Sequence, residues 1–315
     1  MVNQSVKIID QTEIENLYSI KHLRELIRTD LTTIETNIAM IQTGVSLLEE
    51  WLSQTHSSEK QERLLQLKRI DLEELVTSIF EITALCDSPE LFVGICGQVA
   101  HKLGFSDHST AIVTTAEICT ILCYTRAFEL IKDGKYAPWT VKSLVELNRQ
   151  TFESMKRVMF LPPMVCKPEP LTSAWESPYL SFNEPVMTGR TEFTHSGDIG
   201  LDVINQQTSV ALSLCPRFLS FCKELEPDGS DEDKMEFKTQ QVEQWSVFKS
   251  QSEKVYKLLI DNGNEFYMGW KTDQRLRIYA TGYHINPQGR PYKKAMIELA
   301  KKEPIEGNIN DLTRL

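Results

Sequence analysis

The sequence predicts an α+β protein, mainly helical with small β elements. Three observations carry this. Apolar residues recur at three- and four-residue steps through the first half. Five prolines between Pro162 and Pro178 then forbid a long helix. Beyond them, short β-prone runs alternate with two more helical stretches and are punctuated by Gly, Asn and Pro. The chain divides accordingly into a helical N-terminal domain over 1–160 and a proline-rich segment, hairpin and helix over 161–238. A helix over 239–265 and a basic strand–turn–helix region with a tail over 266–315 complete it.

In the N-terminal domain, Leu23, Ile27, Leu31, Ile34, Ile38 and Ile41 mark one long helix. After the polar break "SQTHSSEKQE", the run "RLLQLKRIDLEELVTSIFEITAL" predicts a second. Ser88 and Pro89 read as the N-cap and first residue of a third, with Gly104 as its stop. A fourth runs through "TAIVTTAEICTILCYTRAFELIKDG" to Gly134, and a fifth starts at "APWTVK". Short connections between them predict a packed α-domain over about residues 11–160.

The proline-rich stretch "LPPMVCKPEPLTSAWESPYL" must run extended and pack by its side chains. "YLSFNEPVMTGRTEFTH" predicts a hairpin, and "IGLDVINQQTSVALSLCPRFLSFCKEL" returns to helix, broken or started afresh near Pro216. "EPDGSDEDKMEF" is an acidic exposed loop. The following helix is amphipathic, with Val242, Trp245, Phe248, Val255, Leu258 and Leu259 on its apolar side. "RLRIYATGY" reads as a strand, "NPQG" as a turn, and "PYKKAMIELAKK" as a short helix ending before Pro304.

Composition narrows the class. The apolar and charged fractions, 41% and 25%, are those of a globular protein. No apolar run approaches the roughly 18–20 residues that span a bilayer, and the N-terminus lacks the marks of a signal peptide. The expectation is a cytoplasmic protein with no membrane partner. The seven cysteines form no C-x-x-C pair, and no His pair lies at finger spacing. Cys119 and Cys123, four apart, read as buried small hydrophobes rather than a metal or redox pair.

Charge is unevenly placed. The window from Lys271 to Lys302 holds eight Lys or Arg and two acids, whereas the whole chain carries −10. On a strand, Arg275 and Arg277 would share a face with Tyr279 and Tyr283. Arg offers a planar fork of donors that matches phosphate oxygens. The same window can equally be a basic surface that pairs with the acidic remainder of the chain.

The order of residues is more specific than the charge. Asp273-Gln274-Arg275-Leu276-Arg277-Ile278-Tyr279-Ala280, then Asn286-Pro287-Gln288-Gly289, then "ELAKKEPI", resembles the single-subunit RNA polymerases of phages and mitochondria. In that family an Asp-x-x-Gly-Arg motif leads from the thumb into the palm. Upstream, "LPPMVCKPEPLTS" is similar to the family's proline-rich stretch, and Asn205 falls on an Asn of its next helix. The likeness covers about residues 160–305 and implies a reduced thumb helix followed by the first strand and helix of a palm.

Two departures matter. Leu276 stands where the motif has Gly, so the loop geometry is open. The sequence ends at Leu315, while the family's catalytic Asp residues lie downstream of the motif. Two-metal nucleotidyl transfer needs carboxylates holding ions about 4 Å apart. The resemblance therefore implies the smaller, front-end subunit of a polymerase divided over two chains, as in the heterodimeric enzymes of the N-four-like phages. Such a subunit would be inactive alone and would carry neither catalytic residues nor metal ligands, with Mg²⁺ held by the second polymerase subunit.

The implied roles follow residue by residue. Arg277 would hold the template strand near the RNA–DNA hybrid; its alternative is an intramolecular pair with Asp273. Arg275, Lys293 and Lys294 are further candidates, with Asp273 as an orienting partner. Asn286, Pro287, Gln288 and Gly289 would set the loop. Lys167, Arg190, Lys249, Lys254 and Lys257 are weaker candidate contacts, each equally explained as a solvated surface charge. Tyr279 reads as core packing, and His284 as a satisfied structural histidine. Implied partners are the DNA template, the RNA–DNA hybrid, the second subunit and an accessory DNA-binding or promoter factor. The alternative is a stand-alone nucleic-acid-binding or transcription-regulatory protein derived from a polymerase fragment.

Overall fold

The computed structural model describes residues 2–85, 88–105, 107–158, 160–182, 184–187, 200–221, 235–273 and 275–302. They are mixed α and β and fall into two compact units, Ser19–Val158 and a second made of Met1–Tyr18 with Met159–Leu315. Helix α1 (Val2–Leu17) thus belongs with the C-terminal residues rather than with the helices that follow it.

The Ser19–Val158 unit opens with α2 (Ile20–Thr33), capped by the Ser19 hydroxyl, which accepts from the His22 N–H at 3.1 Å. One long helix was expected here, but Ile34 is extended and α3 (Glu35–Ser53) starts afresh. Thr32, Thr33 and Ile34 are β-branched in succession, which weakens a helix at that point. The Asn37 side chain spans the break, donating to the Asp30 carbonyl at 3.1 Å and the Glu146 carbonyl at 2.8 Å. The second expected helix is likewise two, α4 (Ser58–Leu67) and α5 (Leu72–Ala84), the latter capped by Asp71.

The next three expected helices need correction. Ser88 and Pro89 do not start one: β1 (Glu90–Leu91) comes first, and α6 (Phe92–Ala100) begins after it. Helix α7 (His108–Leu122) does not reach Gly134. A 3₁₀ turn and left-handed Arg126 redirect the chain into β2 (Phe128–Ile131). "TVKS" is β3 (Thr140–Ser143), and the fifth helix is only α8 (Arg149–Val158). These strands form one antiparallel sheet in the order β1-β3-β2. Antiparallel pairing, of β2 with β3 across a short loop and of β3 with β1 far back in the sequence, overrides the helical reading of each. Leu31, Val76, Phe80, Leu122 and Phe128 lie in the core beneath.

In the second unit, α1 is tied in by two buried polar residues. The Gln11 carbonyl oxygen accepts from the Val165 N–H at 2.7 Å. Glu15 accepts from the N–H groups of Leu180 at 2.9 Å and Ser181 at 2.6 Å. The proline-rich stretch thereby finds partners for backbone groups that no strand supplies. The helix expected from residue 199 onward ends at Thr208 as α9 (Leu201–Thr208), because Ala211–Leu214 is instead β4, paired on both sides; α10 (Pro216–Phe221) and α11 (Met235–Asp261) follow. After these come β5 (Phe266–Tyr267), β6 (Trp270–Thr272), β7 (Ile278–Ala280), α12 (Pro291–Ala295) and β8 (Ile297–Leu299).

One sheet has the order β5-β4-β8, and β6 and β7 form a separate antiparallel ribbon. Val165, Val255, Leu259, Phe266, Met268, Ile285 and Met296 are buried together. The helix expected to run to Lys302 ends at Ala295, because Ile297–Leu299 pairs with β4 instead. Lys302 consequently caps no helix and pairs with Glu298 at 2.7 Å. Of the expected hairpin over 179–195, residues 183 and 188–195 lie outside the described set, as does the acidic loop up to residue 234. Among the described residues no helix is long and apolar enough to cross a membrane.

Candidate nucleic-acid interface

The basic window centres on the β6–β7 ribbon, whose pairs are Trp270↔Ala280, Lys271↔Tyr279 and Thr272↔Ile278. Asp273 and Arg275–Arg277 lie at its tip. The Leu276 N–H donates to the Asp273 carbonyl at 2.9 Å, closing a β-turn, and the Asp273 N–H donates to the Arg277 carbonyl at 3.0 Å. Leu276 has φ +62°. A β-turn followed by one left-handed residue is a common way to close a short hairpin, and its left-handed position favours Gly. Leu276, at the motif's Gly position, takes the conformation a Gly takes without strain.

Asp273 organises the tip. One carboxylate oxygen accepts from the N–H groups of Arg275 at 2.9 Å and Arg277 at 3.0 Å, and the other from Arg277 Nε at 2.7 Å. The Arg277 guanidinium, more than the backbone donors, pulls the Asp273 pKa down to about 2. With both oxygens engaged by donors, this carboxylate does not fit a metal-ligand role. Among the described residues, no three His, Cys, Asp or Glu side chains come together to hold a metal ion.

The tip places Arg275 and Arg277 differently from the expectation of a shared strand face. Arg275 lies in the turn and Arg277 just before β7, because the strand begins only at Ile278. Both are exposed. The Arg277 guanidinium sits 5.5 Å from the Tyr279 ring centroid. Tyr279 is 43% exposed and so is not core packing: the ribbon has two strands, and its outer face is left open.

Along the far edge of β7, a side chain replaces a strand. Gln288 accepts from the Ala280 N–H at 2.9 Å and donates to the Ile278 carbonyl at 3.0 Å. Asn286 donates to the Gly282 carbonyl at 2.8 Å and accepts from the Gln288 N–H at 2.8 Å. The Gly289 N–H donates to the Asn286 carbonyl at 3.0 Å. Pro287 carries no N–H to compete in this turn. A Cβ on Gly282 would lie 1.9 Å from the Ile285 carbonyl oxygen, so the chain can make this return only with glycine.

Behind the turn lies an aromatic group that sequence reasoning missed. Phe160 stacks on Tyr283 with centroids 3.8 Å apart, and Phe248 of α11 stacks on His284 at 5.4 Å. His284 is buried, with Nδ1 2.8 Å from the Ser252 hydroxyl, and burial, aided by the Lys293 charge, lowers its pKa to about 4. The Lys293 ammonium donates to the Tyr283 carbonyl and lies 4.8 Å from the Phe248 ring centroid and 5.1 Å from that of Tyr283. Burial pushes the Lys293 pKa down, with Arg290 adding to the effect. This lysine is a packed element of the loop rather than an open cation. Phe248 was visible as an apolar position of its helix, but nothing local showed what would meet it.

The remaining candidates scatter. Lys294 and Arg290 are exposed near the start of α12, and Lys167 is exposed in the proline-rich stretch. Lys254 is exposed on α11, Lys249 is half-buried there, and Lys257 pairs with Asp261 at 2.9 Å. Lys271 pairs with Glu184. Arg190 lies outside the described residues. Asn205 clamps the proline-rich stretch: it accepts from the Leu171 N–H at 2.8 Å and donates to the Leu171 carbonyl at 2.9 Å.

No protein-family model matches this chain, and a search of curated proteins likewise finds no match.

Proposed function

We propose that this chain is a non-catalytic subunit of a DNA-dependent RNA polymerase that holds the template strand and the RNA–DNA hybrid. In this reading a partner polypeptide supplies the catalytic carboxylates and their Mg²⁺. The observation that carries the reading is Leu276. It stands where the motif has Gly and adopts the left-handed conformation that Gly takes without strain, which supports the match at this position. Asn286 and Gln288, which follow in the motif's order, lock the adjoining strand. Asn205, on the family's Asn, clamps the segment that resembles the family's proline-rich stretch.

The chemistry suits a backbone grip. Asp273 fixes one edge of the Arg277 guanidinium, and the group remains exposed for a charge-assisted bond to a phosphate oxygen. Arg275, Arg290 and Lys294 add exposed positive charge. Such contacts give affinity and position, not sequence preference. The net charge of −10 over the whole chain disfavours indiscriminate binding to DNA. A stand-alone nucleic-acid-binding protein would use the same exposed cations, so the two readings separate on the partner.

The test is purification of the chain from its native source. A stoichiometric second protein, with ribonucleotide extension on a DNA template in Mg²⁺, is the expected result. A chain that runs alone, with no extension after lysate from the same source is added back, overturns the subunit reading.

A further inference from the structure

We propose that the β2–β3 hairpin of the Ser19–Val158 unit is a binding site for single-stranded nucleic acid. Tyr136 and Trp139 are its base-stacking platforms, and Lys132 and Lys135 its phosphate contacts. The site shares no residue with the β6–β7 interface and does not depend on the polymerase reading.

Large aromatic side chains are normally well covered in a folded protein. Here Tyr136 is 91% exposed and Trp139 is 49% exposed, both in the loop between β2 and β3. Tyr124, shortly before β2, is 79% exposed. The stem beneath the loop is fixed. Four residue pairs join β2 to β3, from Phe128↔Ser143 to Ile131↔Thr140. The Thr140 hydroxyl also donates to the Ile131 carbonyl at 3.3 Å. The Trp139 carbonyl accepts from the Phe92 N–H at 2.9 Å, which ties the loop's end to the start of α6. Pro138 restricts the backbone just before it. Gly134, at φ +93°, turns the loop at its other end.

The charges accompany the rings. Lys132 Nζ lies 5.4 Å from the Trp139 ring centroid, and Lys135 Nζ 5.7 Å from that of Tyr136. A cation over one face of a ring leaves the opposite face for another planar partner. A nucleotide presents the two groups that each pair would meet, a π-face and a phosphate. A sugar offers no anion for the lysines, and an apolar peptide would leave them unpaired. Stacking tolerates any base, so the predicted binding prefers single strands but no sequence.

The experiment uses the full chain and a fluorescein-labelled oligothymidylate, read by anisotropy, with 5-iodouracil photo-crosslinking to locate the contact. The Tyr136→Ala/Trp139→Ala double variant should weaken binding about tenfold or more. Lys132→Gln/Lys135→Gln should flatten the salt dependence by about 1.4 units of log–log slope. The crosslinked peptide should fall within 132–142, and remain so in Arg277→Ala. All four side chains are exposed, and unchanged circular dichroism will show that the variants fold. Absence of binding by the wild type, wild-type affinity in the aromatic variant, equal competition by a duplex, or crosslinks confined to other peptides would each overturn the proposal. None of those results bears on extension by the polymerase, which depends on the other unit.

Discussion

Asp273 and Arg277 hold each other twice: one carboxylate receives both the backbone N–H of Arg277, at 3.0 Å, and its Nε, at 2.7 Å. A single acid therefore sets the turn and aims the guanidinium. This makes the pair a positioning device, and it ties the reach of Arg277 to the geometry at Leu276 between them.

Leu276→Gly should leave the protein equally or more stable, by up to about 1 kcal/mol, because it removes the left-handed strain of a residue with a Cβ. Leu276→Val should destabilise by about 1–2 kcal/mol, since a β-branched side chain tolerates that conformation worst. Urea unfolding midpoints of the two variants decide the matter. Equal midpoints would mean that the turn is not left-handed at this position.

Gln288→Ala removes the side chain that pairs with β7 and should cost about 1–2 kcal/mol. Gln288→Glu keeps the acceptor for the Ala280 N–H but sets a carboxylate oxygen against the Ile278 carbonyl, so it should do no better. Hydrogen exchange at Ala280, whose N–H donates to Gln288 at 2.9 Å, should quicken in both.

Gly282→Ala should be among the most damaging small substitutions, at about 3 kcal/mol or more, because its Cβ would meet backbone at 1.9 Å rather than a movable side chain. Thermal unfolding measures it. A variant that unfolds with the wild type would contradict the close return at Ile285.

His284 gives a pH dependence of defined sign. Its pKa in the fold, about 4, lies below the usual histidine value, because burial disfavours the charged form. As pH falls below about 6.5, the unfolded chain takes up a proton that the native chain refuses. Stability from this group is complete above that pH and declines until the native histidine also titrates near 4. The loss is on the order of 3 kcal/mol in all, of which about 2 kcal/mol falls between pH 7 and 5. His284→Gln should flatten the urea midpoint between pH 7 and 5 relative to wild type. Asp273 behaves differently: its native pKa of about 2 keeps the Arg277 pair intact until much stronger acid.

The parts of this structure that the sequence revealed are those in which the chain meets itself nearby. The "NPQG" turn is read directly, and the Asp273–Arg277 pair is legible as the alternative role of Arg277, because these partners lie within about ten residues. The clustering of charge was equally plain, but not which lysines stay open: Lys293 is withdrawn among Phe248 and Tyr283. Distant pairing was illegible. Ile297–Leu299 looks helical in isolation and becomes a strand only because β4 waits for it. Nearness alone is not enough: Phe128–Ile131 and Thr140–Ser143 pair across one short loop, yet each reads as part of a helix in isolation. Nothing in the sequence singles out Gln11 and Glu15, yet both are buried and hold a proline-rich stretch far along the chain. Their hydrogen-bonding capacity, not their polarity, decides where they sit.

The measurement closest to the central claim is template-directed ribonucleotide extension by the native complex, comparing wild type with Arg277→Ala and Arg277→Lys. Ala should weaken extension about tenfold or more, and Lys should restore only part of it, because a point charge cannot both pair with Asp273 and grip a phosphate as a fork does. Extension by Arg277→Ala at the wild-type rate, with template affinity unchanged, would contradict the claim.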